Sequence, residues 1–192
     1  MNAVLRGIAV LTDPVNEWAR IEQEPGDAAY LLTRYVALLA LIPAISAFLG
    51  ACVIGVVVPG AGTVRAPLFD GIFAMVFGYV ATFVQVLVVG LLIDALAPLF
   101  GGRRNFTRAL TLAVYSLTPV WLVGVFLLLP GLYFLLLAGL YGAYLLITGL
   151  PVVMKSSASK SLRYGATVIV FAGLLMLITV AVQRALFGPA AI

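Results

Sequence analysis

The 192-residue chain has no histidine, one cysteine, and charge on only 9% of its residues. Each shortage excludes some chemistry. Without imidazole there is no histidine general base and no histidine-ligated metal. The lone Cys52 rules out an intramolecular disulfide, and its apolar setting says nothing about redox compartment. Of seven acidic residues, five lie in the N-terminal tail (Asp13, Glu17, Glu22, Glu24 and Asp27), which leaves no paired-acid constellation elsewhere. The residues therefore nominate no catalytic, cofactor-binding or metal site, and no enzymatic activity is expected.

What the chain has in abundance is uncharged length. Between Arg108 and Lys155 lie 46 residues without a formal charge. As one helix they would reach roughly 70 Å, twice a bilayer core, so the run must fold back on itself. The break is legible at Pro130-Gly131. Hydrophobic residues make up 64% of the chain, so lipid rather than water is the expected solvent. The expected fold is all-α: a polytopic membrane protein with a five-transmembrane-helix bundle and a short amphipathic N-terminal cytoplasmic helix. Residues 1–34 form the tail, and residues 35–192 the membrane domain, with spans near 35–59, 71–97, 109–129, 132–154 and 164–187. No strands are expected, and hence no strand-borne phosphate loop. The apolar run GIAVL, ended by Asp13-Pro14, is too short for a signal peptide.

Basic residues set the expected orientation. With the N-terminus inside, the cytoplasmic segments hold nine (Arg6, Arg20, Arg34, Arg103, Arg104, Arg108, Lys155, Lys160 and Arg163), and the outside only Arg65 and Arg184. The net charge of +4 then reflects topology and anionic lipid headgroups. A nucleic-acid partner is not expected, because no basic stripe with interleaved aromatics exists.

In DPVNEWARIEQEP, Asp13 caps a helix opened by Pro14, and Val15, Trp18 and Ile21 share one face. This helix reads as a surface anchor with Trp18 at headgroup level, in preference to a partner-docking site. Asp94, near the end of the second span, reads as a structural ion pair with Arg103 or Arg104 rather than a proton relay. Gln85 and Thr82 read as interhelical glue. Two small-residue ridges, Ala47-Ala51-Gly55 and Ala138-Gly139-Gly142-Ala143, suit packing inside the bundle. Pro43 and Pro119 read as kinks, each freeing a carbonyl one turn earlier.

The tail DPVNEWARIEQEP running into YVALLALIPAISAFLG, the third-span AVYSLTPVWLVGVF, and the loop GLPVVMKSSASKSLRYG together resemble bacterial members of the Yip family, the Ypt/Rab-interacting membrane proteins. The resemblance covers about Asp13 to Val180. Tyr115 to Pro119 is similar to the family's glycine-tyrosine…proline element, with Val114 where glycine is usual. The resemblance implies a five-span bundle with a cytoplasmic N-terminus. Eukaryotic relatives bind prenylated small GTPases in vesicle traffic. Their Asp-Leu-Tyr-Gly-Pro segment has no match here, and the GTPase partner is not carried over.

The leading expectation is a non-enzymatic scaffold or bilayer organiser in a bacterial inner membrane. Its cytoplasmic face would be the Trp18 helix, the Arg103-Arg104 loop, and the Lys155–Arg163 loop with Lys160. That face would meet anionic headgroups, an unidentified protein or a second copy of the chain. The alternative is a small oligomeric channel or transporter with Asp94 and Gln85 lining a polar path.

Overall fold

The computed structural model describes residues 3–24, 26–58 and 62–188. Helices α1 (Ala3–Thr12) and α2 (Pro14–Gln23) form a tight N-terminal hairpin. Five helices long and apolar enough to cross a membrane follow: α3 (Ala28–Ile54), α4 (Leu68–Phe100), α5 (Phe106–Leu128), α6 (Pro130–Val153) and α7 (Ala158–Phe187). The chain is thus a multi-pass membrane protein with an all-α bundle.

The ends of the spans follow local chemistry. The Asp27 carboxylate accepts from the Tyr30 N–H at 2.9 Å and starts α3 there, seven residues before the expected start at 35. A helix tolerates the charge of Arg34; it does not require a boundary at it. At the other end Gly55 takes φ +83°, a left-handed value that suits glycine, and its N–H caps the Gly50 carbonyl at 2.8 Å. Helix α3 therefore stops at Ile54 rather than near 59; Pro59 itself lies outside the described residues. The β-branched run that follows forms β1 (Val56–Val58), paired antiparallel with β2 (Gly62–Val64). This hairpin corrects the expectation of no strands. It also takes Gly55 off the Ala47-Ala51 ridge.

Between α5 and α6 the chain turns where expected. Leu129 is extended (φ −122°, ψ 106°), and Pro130 opens α6, whose first stretch (Pro130–Leu140) is wound as a tighter 3-10 helix. Helix α5 is the hub. In its most apolar window 61% of residues are buried, against 11% in α7, which presents most of its surface outward. It packs against α3, α4 and α6, while α7 leans on α4 and α6. Glycines set the close approaches. A methyl on Gly142 would strike the Ser116 carbonyl, and one on Gly139 would meet Val123 Cγ2 at 3.2 Å. The second small-residue ridge is thus spent on packing α6 against α5, as lipid-embedded helices require. Gly124 likewise receives Pro43.

Candidate functional site

Among the described residues the ion pairs gather at one end of the bundle, where the α1–α2 hairpin meets the α4–α5 and α6–α7 loops. Asp13 caps α2 through its side chain, and Pro14 occupies the first turn. The resulting frame turns Glu17, Trp18 and Ile21 inward. Trp18 is 0% exposed. Its ring fits the slot left by Gly149, where a Cβ would stand 2.8 Å from Cε2, and packs edge-on to Tyr115 with centroids 6.4 Å apart. Tyr115 in turn packs edge-on to Tyr35 at 5.1 Å, and the Tyr35 hydroxyl shares a hydrogen bond of 2.8 Å with Thr118. Thr118 sits beside Pro119 inside α5 and also donates to the Val114 carbonyl at 3.2 Å. The headgroup placement expected for Trp18 is therefore corrected. Its apolar ring gains roughly 2–3 kcal/mol by full burial, and the glycine opposite supplies the room. Amphipathic spacing identified the inward face of α2 without revealing that the bundle, not lipid, receives it.

Arg6, on α1, lies between two carboxylates. Its Nε is 3.2 Å from Glu17 Oε1, and its other two nitrogens pair with both oxygens of Glu24, Nη2 to Oε1 at 2.6 Å. The Glu17–Arg6 contact is an ion pair without hydrogen-bond alignment. The hydrogen bond from Arg6 holds the Glu24 carboxyl below the usual carboxylate range and pushes Arg6 further up. Arg20 closes on the far side of Glu17 at 3.3 Å.

Glu22 joins three segments. Its Oε1 lies 3.0 Å from Lys155 Nζ and 3.2 Å from Arg108 Nη1, and its backbone carbonyl accepts from Arg108 Nη2 at 3.3 Å. The hydrogen bond from Lys155, aided by its charge and by Arg108, lowers the Glu22 pKa. Lys155, in the loop expected to be basic and exposed, is thus engaged within the chain by Glu22. Sequence reasoning also missed Arg6, Glu22, Tyr35, Thr118 and Gly149, because every one of these contacts joins distant segments. The one available signal was that the tail's acids lie on the same side as the basic loops.

The two loops are stitched together by backbone bonds, Arg103 N–H to the Met154 carbonyl at 2.9 Å and Ser157 N–H to the Phe100 carbonyl at 3.3 Å. Between them opens a cleft of about 360 Å³, lined by Glu22, Arg103, Arg104, Asn105, Arg108 and Lys155. Lys155 holds φ +55°, unusual for a residue with a side chain. Asp94 stays apart. Among the described residues it pairs with neither Arg103 nor Arg104, and its Oδ1 is enclosed without a partner. Gly101, at φ +78°, turns the chain back after α4. Arg104 then donates to the Ala95 carbonyl at 3.5 Å, where a cation suits a helix C-terminus. Lys160 stands exposed at the start of α7.

Deeper in the bundle, Gln85 Nε2 donates to Thr179 Oγ1 at 2.9 Å, joining α4 to α7. Gln183 repeats the device on the Ala74 carbonyl at 3.2 Å. Thr82 bonds within its own helix, to the Gly78 carbonyl. Cavities of about 250 and 300 Å³ flank Gln85 and Trp121; their walls are mostly aliphatic, and Asp94 lines neither.

The family profile of the Yip1 domain matches residues 8–180. The inner membrane protein YohC of Escherichia coli K12 is 26% identical over 183 residues, covering 93% of this chain and 94% of that protein. YohC of E. coli strain CFT073 matches to the same extent. No solved structure matches.

Proposed function

The chain belongs to the Yip1-domain family, and we propose on that footing that it is a non-enzymatic scaffold of the inner membrane whose N-terminal hairpin and basic loops form a preformed recognition platform. The carrying observation is that α2 is locked onto the bundle by Trp18 and by the Glu22 ion pairs to Arg108 and Lys155, while Arg6 ties α1 to α2. A surface fixed in advance loses little entropy when a partner arrives. Arg103, Arg104, Lys160 and Arg163 supply exposed positive charge around it, and Leu5, Ile8 and Val15 supply exposed aliphatic surface. The inner-membrane location extends to this chain what its E. coli relatives are named for. The positive-inside asymmetry supports a cytoplasmic N-terminus.

The test is a photoreactive residue at Val15, which is 65% exposed, in native membranes. Trp18 would be the wrong position, since its neighbours belong to the same chain. A discrete protein adduct that disappears on charge reversal at Arg103 and Arg104 supports the platform. Adducts only to lipid or to the chain itself would overturn it.

The channel alternative has less behind it. Gln85 is engaged by Thr179, and the cavities beside it are aliphatic. Asp94→Asn abolishing an ion flux while leaving the protein folded would revive it.

A further inference from the structure

We propose that the cleft between the α4–α5 and α6–α7 loops is a binding site for a phosphate-bearing anion, and that Glu22 is its built-in occupant when no anion is bound. The inference deepens the platform reading and rests on it for placing the cleft at a membrane surface.

The first support is charge. Four cationic side chains, Arg103, Arg104, Arg108 and Lys155, line one concavity with a single carboxylate, Glu22. Arginine's fork matches phosphate oxygens in pairs, and lysine adds a point charge. Glu22 engages only Arg108 and Lys155, so Arg103 and Arg104 have no carboxylate among the described residues. An anion would meet two arginines without carboxylate partners first and then compete with Glu22 for the other two cations.

The second support is backbone. Lys155 sits in the left-handed region, where glycine is the easier residue. A lysine there holds its ammonium 3.0 Å from Glu22 Oε1, inside the cleft. Strain kept at such a position points to use of the side chain. The walls are also fixed, since backbone bonds join Arg103 to Met154 and Ser157 to Phe100. Asn105, which also lines the cleft, caps the 18-residue helical start of α5, adding the positive end of a helix. Buried Val153 and Met154 form an apolar floor, which suits an ester-linked phosphate.

The experiment measures binding to the purified full-length protein in nanodiscs. The probes are inorganic phosphate, glycerol 3-phosphate, and phosphatidylglycerol in a phosphatidylcholine background. The proposal expects at least one to bind, with Arg103→Gln/Arg104→Gln weakening it about tenfold or more. Glu22→Gln should tighten it several-fold, because the competitor is gone. Lys155→Gly fits the backbone without strain, so weaker binding with thermal stability kept would isolate the lost charge. Lys160→Gln/Arg163→Gln removes equal charge outside the cleft and should change little.

Binding of phosphatidylglycerol alone assigns the source as a lipid headgroup; binding of the soluble probes as well assigns free phosphate esters. No binding by any probe, binding indifferent to Arg103 and Arg104, or equal loss in the Lys160/Arg163 variant would overturn the proposal. So would a well-folded Glu22→Gln variant that binds no tighter. Val15 adducts lost on charge reversal, without anion binding, would sink this inference alone. Anion binding with adducts only to lipid or the chain itself would sink the platform alone.

Discussion

Gly142 and Gly149 are two turns apart on α6 and both face α5, yet a methyl group would strike different things. At Gly142 it meets the Ser116 backbone carbonyl, which moves only if the two helices separate. At Gly149 it meets Leu112 Cδ1 and the Trp18 ring, which can shift as side chains. Gly142→Ala is expected to cost about 3 kcal/mol, and Gly149→Ala about 1–2 kcal/mol, as overpacking does. Reversible unfolding in detergent would rank them. With Trp121→Phe leaving one indole, only the Gly149 variant should change Trp18 emission. Trp18→Ala should cost about 3 kcal/mol or more and loosen α2. At this scale the sequence was half legible. Spacing marked which face Trp18 occupies, and the small residues of α6 marked a close contact. That the indole and the glycine meet could not be read, because helical periodicity says nothing about the partner across the gap.

Helix α2 is held by carboxylates whose pKa values are lowered, Glu22 by Lys155 and Arg108, and Glu24 by Arg6. A depressed folded-state pKa contributes stability that is full above the unfolded value, about 4.3 for glutamate, and is lost as pH falls through the folded value. Docking of α2 should therefore hold through mild acid and weaken only below about pH 4, as these partly exposed pairs are lost while Trp18 remains. Trp18 emission in the single-tryptophan background would follow it, and a shift already complete at pH 6 would contradict the clasp. Helix α7, the most exposed span, is tied to α4 by Gln85 and Gln183. Replacing either with Leu should cost about 1 kcal/mol or less, by the usual worth of such bonds in membranes. The charge-free intervals revealed all five spans, and Pro130-Gly131 revealed the turn. The ends of α3 were misjudged for physical reasons. Asp27 is a capping signal that outweighs the charge of Arg34, and a valine run after a left-handed glycine serves a strand as well as a helix.

For the molecule as a whole, the positive-inside asymmetry makes a labelling prediction. In a Cys52→Ser background, a membrane-impermeant maleimide should reach Thr63→Cys in intact cells, and Ser159→Cys only after permeabilisation. The opposite pattern would invert the topology. The order of apolar motifs along the chain was enough to recognise the family. The clasp was not legible, since Glu22 and Arg108 stand 86 residues apart with no pattern linking them. That separation also sets a timetable for synthesis. Helices α1 and α2 are made first, but the surface that receives them is made late: Tyr141, which bonds the Leu11 carbonyl, comes 130 residues later. At about 5–20 residues per second the interval is roughly 7–26 s. Until α5 and α6 have both been made, the pocket that receives Trp18 is incomplete, and the headgroup region is the nearest medium that accepts an indole. The amphipathic pattern of α2 thus describes the nascent chain, and the buried wedge describes the finished one. Ribosome-stalled chains ending before Gly149 should show Trp18 open to a lipid-borne quencher, and released full-length protein should not.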